Sequence, residues 1–273
     1  MLQLVKKVAK TILPQFVQNG IIELKREKLK LADLSKISLI REKDRVYLSN
    51  PVLLESELLL ELGLNNELLN EFPEELYSYC GKGLLHWQYP KQFSKYLAFI
   101  SQFNIKRYLE IGVRHGGTFV ITVEYLQKFH PITYALGIDL GTCPTILEYK
   151  KINPKVDFKK INSQTPEFNT LIHNSEEFDL VLIDGAHEED MCKHDFETVR
   201  DRSNIAVFHD ITSDICPGVG KVWNHVRTKY HKEYDFFEFT EQYDSVKKRT
   251  GNVFLGIGVA VKKEFMAKNR LHS

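Results

Sequence analysis

From about residue 105 onward, short apolar runs alternate with longer stretches in which apolar residues recur every three or four positions. The runs Arg107 to Ile111, Tyr134 to Ile138, Val156 to Ile161, Leu180 to Ile183 and Ile205 to Phe208 read as strands, and the intervening stretches read as helices. Alternation of this kind predicts a parallel sheet with crossover helices. After the helical "VGKVWNHVRTKYHK" come two strand-like runs, "YDFFEFTE" and "NVFLGIGVAVKK", with no room for a crossover helix between them. They predict a closing antiparallel pair. The fold class expected is therefore α/β, a doubly wound, mostly parallel seven-stranded sheet with a terminal antiparallel strand pair, preceded by a helical N-terminal region.

Up to about Tyr89 the texture is helical and charged, with "SELLLELGLNNELLNEF" as its clearest amphipathic segment and Ser56 as its expected cap. The helical "PKQFSKYLAFISQF" follows and places Phe93, Leu97 and Ile100 on one face. This divides the chain into residues 1–86, a helical region for substrate or oligomer contacts, and residues 87–273, the sheet domain. At the start, "MLQLVKKVAKTILPQFVQ" sets Val5, Val8, Ala9, Ile12 and Phe16 at helical spacing, and its lysines break any signal-peptide core. Residues 1–18 therefore either dock on the protein's own core or a partner subunit, or lie at a membrane surface. No run of about twenty apolar residues exists, which argues against a transmembrane helix.

Composition adds exclusions. The chain has 273 residues, 43% of them hydrophobic, enough for one sizeable core and an appended unit. Lys+Arg (37) and Asp+Glu (36) nearly cancel, so no overall charge draws the protein to nucleic acid. Cys80, Cys143, Cys192 and Cys216 are scattered without a C-x-x-C pair, which fits reduced thiols in a cytoplasmic protein.

In doubly wound sheets a ligand sits off the carboxyl ends of the strands, so chemistry is sought there. The first strand ends in "EIGVRHGGT": Gly112, Gly116 and Gly117 leave the backbone bare, a helix opens near Thr118, and Glu110 stands beside them. The spacing G-x-x-x-G departs from the dinucleotide pattern G-x-G-x-x-G. Glu110 would repel a pyrophosphate and suits a cationic ligand. The second strand ends at Asp139, placed to accept ribose hydroxyls, and the third offers Ser163 and Gln164 to an adenine edge. The fourth, "FDLVLIDGAHEED", delivers Asp184 and His187, and the fifth, "NIAVFHDI", delivers His209 and Asp210. That carboxylate and imidazole set suits Mg, Mn or Fe better than a structural zinc. His187 could equally act as a general base without a metal, since its reference pKa lies near working pH.

These strand ends, in this order, resemble the class I S-adenosylmethionine-dependent methyltransferases, which have a Rossmann-like fold. The likeness covers roughly residues 87–263. "YLEIGVRHGGTFV" is similar to that family's first motif and "GIDL" to its acidic second motif. The stretch "IDGAHEEDMCKHDFETVR" resembles a subgroup pattern I-D-G-x-H followed by an aspartate-bearing helix. That subgroup methylates hydroxyls of sugars and glycosylated natural products, several members using a divalent metal. The resemblance implies S-adenosylmethionine as cofactor, with Glu110, Gly112, His115, Gly116 and Thr118 at its methionine end, Asp139 at the ribose, Ser163 and Gln164 at the adenine, and Asp184 reaching both cofactor and metal. It implies Asp184, His209 and Asp210 as positions for Mg or Mn, and His187 with Asp184 as catalytic residues. "HD" stands where metal-using relatives more often carry two acids.

The expectation is an O-methyltransferase acting on a small-molecule or glycan acceptor, cytoplasmic, homodimeric, with no nucleic-acid partner. Two alternatives stand beside it: a methyltransferase-like scaffold without catalysis, and a nicotinamide-dependent oxidoreductase.

Overall fold

The structure, a computed structural model, describes residues 29–269. The expectation for residues 1–18 lies outside them. Seven strands form one sheet: β1 (Arg107–Ile111), β2 (Tyr134–Asp139), β3 (Val156–Lys160), β4 (Phe178–Ile183), β5 (Ser203–His209), β6 (Tyr234–Phe239) and β7 (Ile257–Lys262). Their order is β3-β2-β1-β4-β5-β7-β6. Strands β1 to β5 pair in parallel, and β7 runs antiparallel to both β5 and β6. The insertion of β7 between β5 and β6 separates this sheet from the dinucleotide-binding order 3-2-1-4-5-6.

The pleat explains the layers. Tyr108, Leu180, Leu182, Ile205 and Val207 point to one face, where they share a core with Phe93, Tyr96 and Leu97 of α1 (Pro90–Ile100), Phe119 and Val123 of α2 (Gly117–Gln127), and Tyr149 of α3 (Pro144–Ile152). Leu109, Ile111, Val181, Ile183 and Phe208 point to the other. There they meet Phe168 of α4 (Pro166–Asn174), Phe196 of α5 (Glu189–Arg200) and Trp223 of α6 (Pro217–Lys229). Leucines and isoleucines of residues 37–62 join the first of these cores. Buried Glu124 of α2 ties that segment down, taking both Arg41 Nε and Nη2 at 2.8 Å and the Tyr149 hydroxyl at 2.6 Å. A carboxylate so nearly buried is tolerable because a guanidinium fork and a phenol satisfy it.

Several boundaries differ from the expectation. β4 and β5 each begin two residues earlier, β5 runs on to His209, and β3 stops at Lys160. Ser56 caps nothing: its hydroxyl bonds back to the Val52 carbonyl at 2.8 Å, inside a helical stretch interrupted by a π turn at Leu54–Leu58. Asn50 does the capping, through Val52 N at 3.0 Å, with Pro51 at the first helical position. Between β6 and β7 there is room for a helix after all, α7 (Asp244–Thr250), yet the strands still pair antiparallel.

A third cluster decides the site. Leu64, Phe72, Leu76 and Tyr89 pack against Tyr243, Val246, Phe254 and Leu255, so the segment 64–89 and the β6–β7 connection together roof the carboxyl end of the sheet. None of the described helices is long and apolar enough to cross a membrane.

Candidate functional site

The strand registers bring the tips level: Ile111 pairs with both Ile138 and Ile183, and Ile183 with Phe208. Beyond these tips opens a crevice of about 530 Å³, within the range of small-ligand pockets. Of the candidate residues, Glu110, Gly112, His115, Thr118, Asp139, Ser163, Gln164, Asp184, His187, His209 and Asp210 all line it. Gly116 does not. It is the N-cap of α2 in the left-handed conformation (φ +81°), and a Cβ there would lie 2.9 Å from Cys143 Sγ, so its task is the turn. Gly112 is bare for another reason: at φ +90° a Cβ would stand 2.1 Å from the Asp184 carbonyl oxygen, and only glycine lets the tips of β1 and β4 close.

At the second tip Asp139 is half-buried and already oriented, accepting Arg114 N at 3.0 Å and Gly141 N at 2.8 Å. Glu110 is 1% exposed. Burial pushes its carboxyl up to about 8, against the hydrogen bond donated by the Tyr108 hydroxyl, so at neutral pH it is an acid and not the carboxylate expected from sequence. An ammonium brought beside it would favour ionisation. Gln164 Nε2 donates to Asp195 Oδ1 at 2.7 Å. Asp195, on α5, is fully buried, its Oδ2 has no partner, and burial raises it to about 7.

The β4 and β5 tips form a compact charged knot. His209 Nδ1 donates to Asp184 Oδ1 at 2.9 Å, His187 Nε2 lies 3.3 Å from Asp210 Oδ2, and Cys216 Sγ is 3.2 Å from His187 Nδ1. Hydrogen bonding to Asp184, then to Cys216, lifts His187 to about 11. Burial works to lower His209, but the charges of Asp184 and Asp210 raise it to about 9. Burial works to raise Asp184, and the two imidazoles outweigh it. Both histidines are therefore cations holding two carboxylates together.

The same residues fit a divalent cation. Ligand atoms of Asp184, His209 and Asp210 lie within 4.8 Å of one another, a hard and borderline set, and Asp210 Oδ1 and His209 Nε2 are buried without a partner. A second set, His187, Asp210 and Cys216, shares Asp210 and is softer.

Backbone strain collects here. The described non-glycine residues with φ in the left-handed region are Leu85, Arg114, Asp210 and Leu255, and every one lines the crevice. Each such residue costs on the order of 1–3 kcal/mol, which the surrounding structure must over-determine. Sequence reasoning passed over Glu71, Trp87 and Asn65, which line the crevice, and Glu67, which takes Arg114 in an ion pair and His115 in a hydrogen bond at its rim. Only the strand tips announced themselves, as polar residues ending apolar runs.

Residues 109–211 match a family described as a methyltransferase domain. No curated protein matches the chain. Among solved structures, an O-methyltransferase from Bacillus cereus in complex with S-adenosylhomocysteine is similar at 12% identity and a TM-score of 0.47, over 84% of this chain and 96% of that one. The O-methyltransferase TomG from Streptomyces achromogenes, involved in tomaymycin synthesis and bound to S-adenosylmethionine, is similar at 15% identity and a TM-score of 0.47, over 65% and 81%. MycE from the mycinamycin biosynthetic pathway, with Mg and S-adenosylhomocysteine, is similar at 17% identity and a TM-score of 0.43, over 66% and 50%. Strands β1 to β5, whose tips hold the crevice, make up most of the segment that resembles a methyltransferase domain.

Proposed function

We propose that the protein transfers the methyl group of S-adenosylmethionine to a hydroxyl of a sugar, glycan or glycosylated small molecule. One observation carries the reading: Gly112, Asp139, Ser163, Asp184 and His209, from five separate strand tips, open onto the same crevice.

S-adenosylmethionine, when bound, supplies an electrophilic methyl group on a positive sulfonium. The chain's part is to hold and orient. The amides opening α2 suit the amino acid carboxylate, Glu110 the ammonium, Asp139 the ribose hydroxyls, and Ser163 with Gln164 the adenine edge. Asp184, His209 and Asp210 would hold a divalent cation, which when bound adds positive charge that acidifies a neighbouring hydroxyl and opposes protonation of His187. The acceptor oxygen gains the methyl and loses its proton. His187, a cation beside Asp184 and Asp210, takes that proton at Nε2 only after giving up its own, and the two carboxylates stabilise the imidazolium that results. Alignment of the oxygen with the methyl does most of the rest. The 64–87 segment, which roofs the crevice, supplies acceptor contacts through Asn65, Leu68, Glu71 and Trp87. The same reading places the protein in the cytoplasm and pairs its subunits through the N-terminal helical region, which light scattering tests.

Calorimetry with S-adenosylhomocysteine tests the base of the proposal. The expected result is saturable binding, weakened about tenfold or more in Asp139→Ala, where charge-assisted hydrogen bonds of roughly 1.5–3 kcal/mol are removed. No binding to the folded wild-type protein would end it.

A further inference from the structure

Glu71 is set apart from the acidic groups of the strand tips. It is 4% exposed and lines the crevice, but on the roof and not at a strand tip. Its Oε2 accepts the indole N–H of Trp87 at 2.8 Å, and among the described residues nothing donates to Oε1. The turn that carries it is tightly held. The Tyr89 hydroxyl donates to the Glu71 carbonyl, and Arg249 Nη2 reaches the Phe72 carbonyl at 2.7 Å and the Asn70 carbonyl at 3.0 Å. The charges that act on it are those of Asp210, His209 and His187, whereas Glu110 feels Asp184, His209 and Asp139. Glu71 thus lies within reach of the knot's charges. Burial lifts its carboxyl to about 7. Beside it Trp87 is half-buried, and at the rim Leu68 and Ile215 are 46% and 52% exposed while lining the same crevice. A nearly buried carboxyl next to an indole and an apolar rim matches a ring with hydroxyls on its edge and C–H groups on its face.

We propose that Glu71 and Trp87 form the acceptor subsite of this crevice, with a neutral hydroxylated ring stacked on the indole and one of its hydroxyls donating to Glu71 Oε1. The subsite rests on the methyltransferase reading for its purpose, though not for its binding chemistry. Trp87 positions the carboxyl, and Glu71 reads the ring. An anionic ring is disfavoured at pH 8, because its carboxylate meets the ionised Glu71 directly, while beyond it the charges of Asp210 and the two histidines offset one another.

The two tryptophans make the test direct, since Trp223 is 2% exposed, packs on Phe208 and does not line the crevice. Tryptophan emission is titrated at pH 8 with octyl β-glucoside and octyl α-rhamnoside below their micelle concentrations, and with octyl β-glucuronide, with and without S-adenosylhomocysteine. The neutral glycosides are expected to give a saturable change that Trp87→Phe abolishes, with calorimetric affinity weakened fivefold or more in that variant. The glucuronide is expected to bind the wild type at least tenfold more weakly, a gap that Glu71→Gln narrows to under threefold. Equal binding of glucoside and glucuronide, or no binding of either neutral glycoside, overturns the proposal with the wild type alone, so a misfolded variant cannot shelter it. Binding of S-adenosylhomocysteine without glycoside discrimination sinks the subsite and leaves the methyltransferase reading standing. Glycoside discrimination without binding of S-adenosylhomocysteine does the reverse.

Discussion

His86 sits in the turn that carries Leu85 and Trp87 to the crevice, and it is fully buried. Its Nε2 bonds to the Leu59 carbonyl at 2.9 Å, its Nδ1 has no partner, and its ring lies 5.6 Å from that of Phe93. A second proton would go to a nitrogen with nothing to receive it. Burial accordingly lowers the imidazole from 6.5 to about 4, against the backbone hydrogen bond. Between these values the unfolded chain binds a proton that the folded chain refuses. The stability His86 contributes is therefore fully present above pH 6.5 and is lost as pH falls toward 4. By proton linkage the loss between pH 7 and pH 5 is roughly 2 kcal/mol, and the full loss below pH 4 roughly 3 kcal/mol. His86→Gln can keep a donor to the Leu59 carbonyl while removing the titration. Urea unfolding of both proteins at pH 7 and pH 5 measures the difference directly. The variant is expected to lose roughly 2 kcal/mol less than the wild type over that interval. If the two fall in parallel, the ring is hydrated or rotates to find a partner, and the roof over the crevice is looser than its geometry indicates.

Three further outcomes follow from the site. Gly112→Ala must place a Cβ 2.1 Å from the Asp184 carbonyl at φ +90°, so thermal melting is expected to show destabilisation of at least about 2 kcal/mol together with lost S-adenosylhomocysteine binding; a normal melting temperature would contradict the closure of the β1 and β4 tips. His187→Ala is expected to lower kcat by roughly 10²–10⁴ while leaving cofactor affinity within about threefold, and an unchanged kcat would remove it as the base. A chelator is expected to lower activity and Mg or Mn to restore it in the wild type but not in Asp210→Asn, whereas activity indifferent to the chelator would leave the Asp184, His209 and Asp210 set as a purely internal ion cluster.

What the sequence by itself determined is the sheet and the residues at its tips. A strand run such as "FDLVLI" announces itself through its apolar residues, and an abrupt aspartate or histidine at its end has few uses in a core, so Asp139, Asp184, His187, His209 and Asp210 were legible from one dimension. The β6–β7 pair was read correctly as antiparallel, although the intervening α7, seven residues long, was not foreseen. Tertiary structure alone decided the protonation of Glu110 and His187, because desolvation and neighbouring charge belong to the assembled site. It alone brought Glu71 to the crevice, since Arg249, more than 170 positions away along the chain, holds that turn from the β6–β7 connection. The left-handed backbone of Leu85, Arg114, Asp210 and Leu255 was equally invisible, because no local preference of leucine or arginine selects it. Local periodicity records which face of an element is buried; the meeting of distant segments is fixed by packing, and there the roof of this crevice was made.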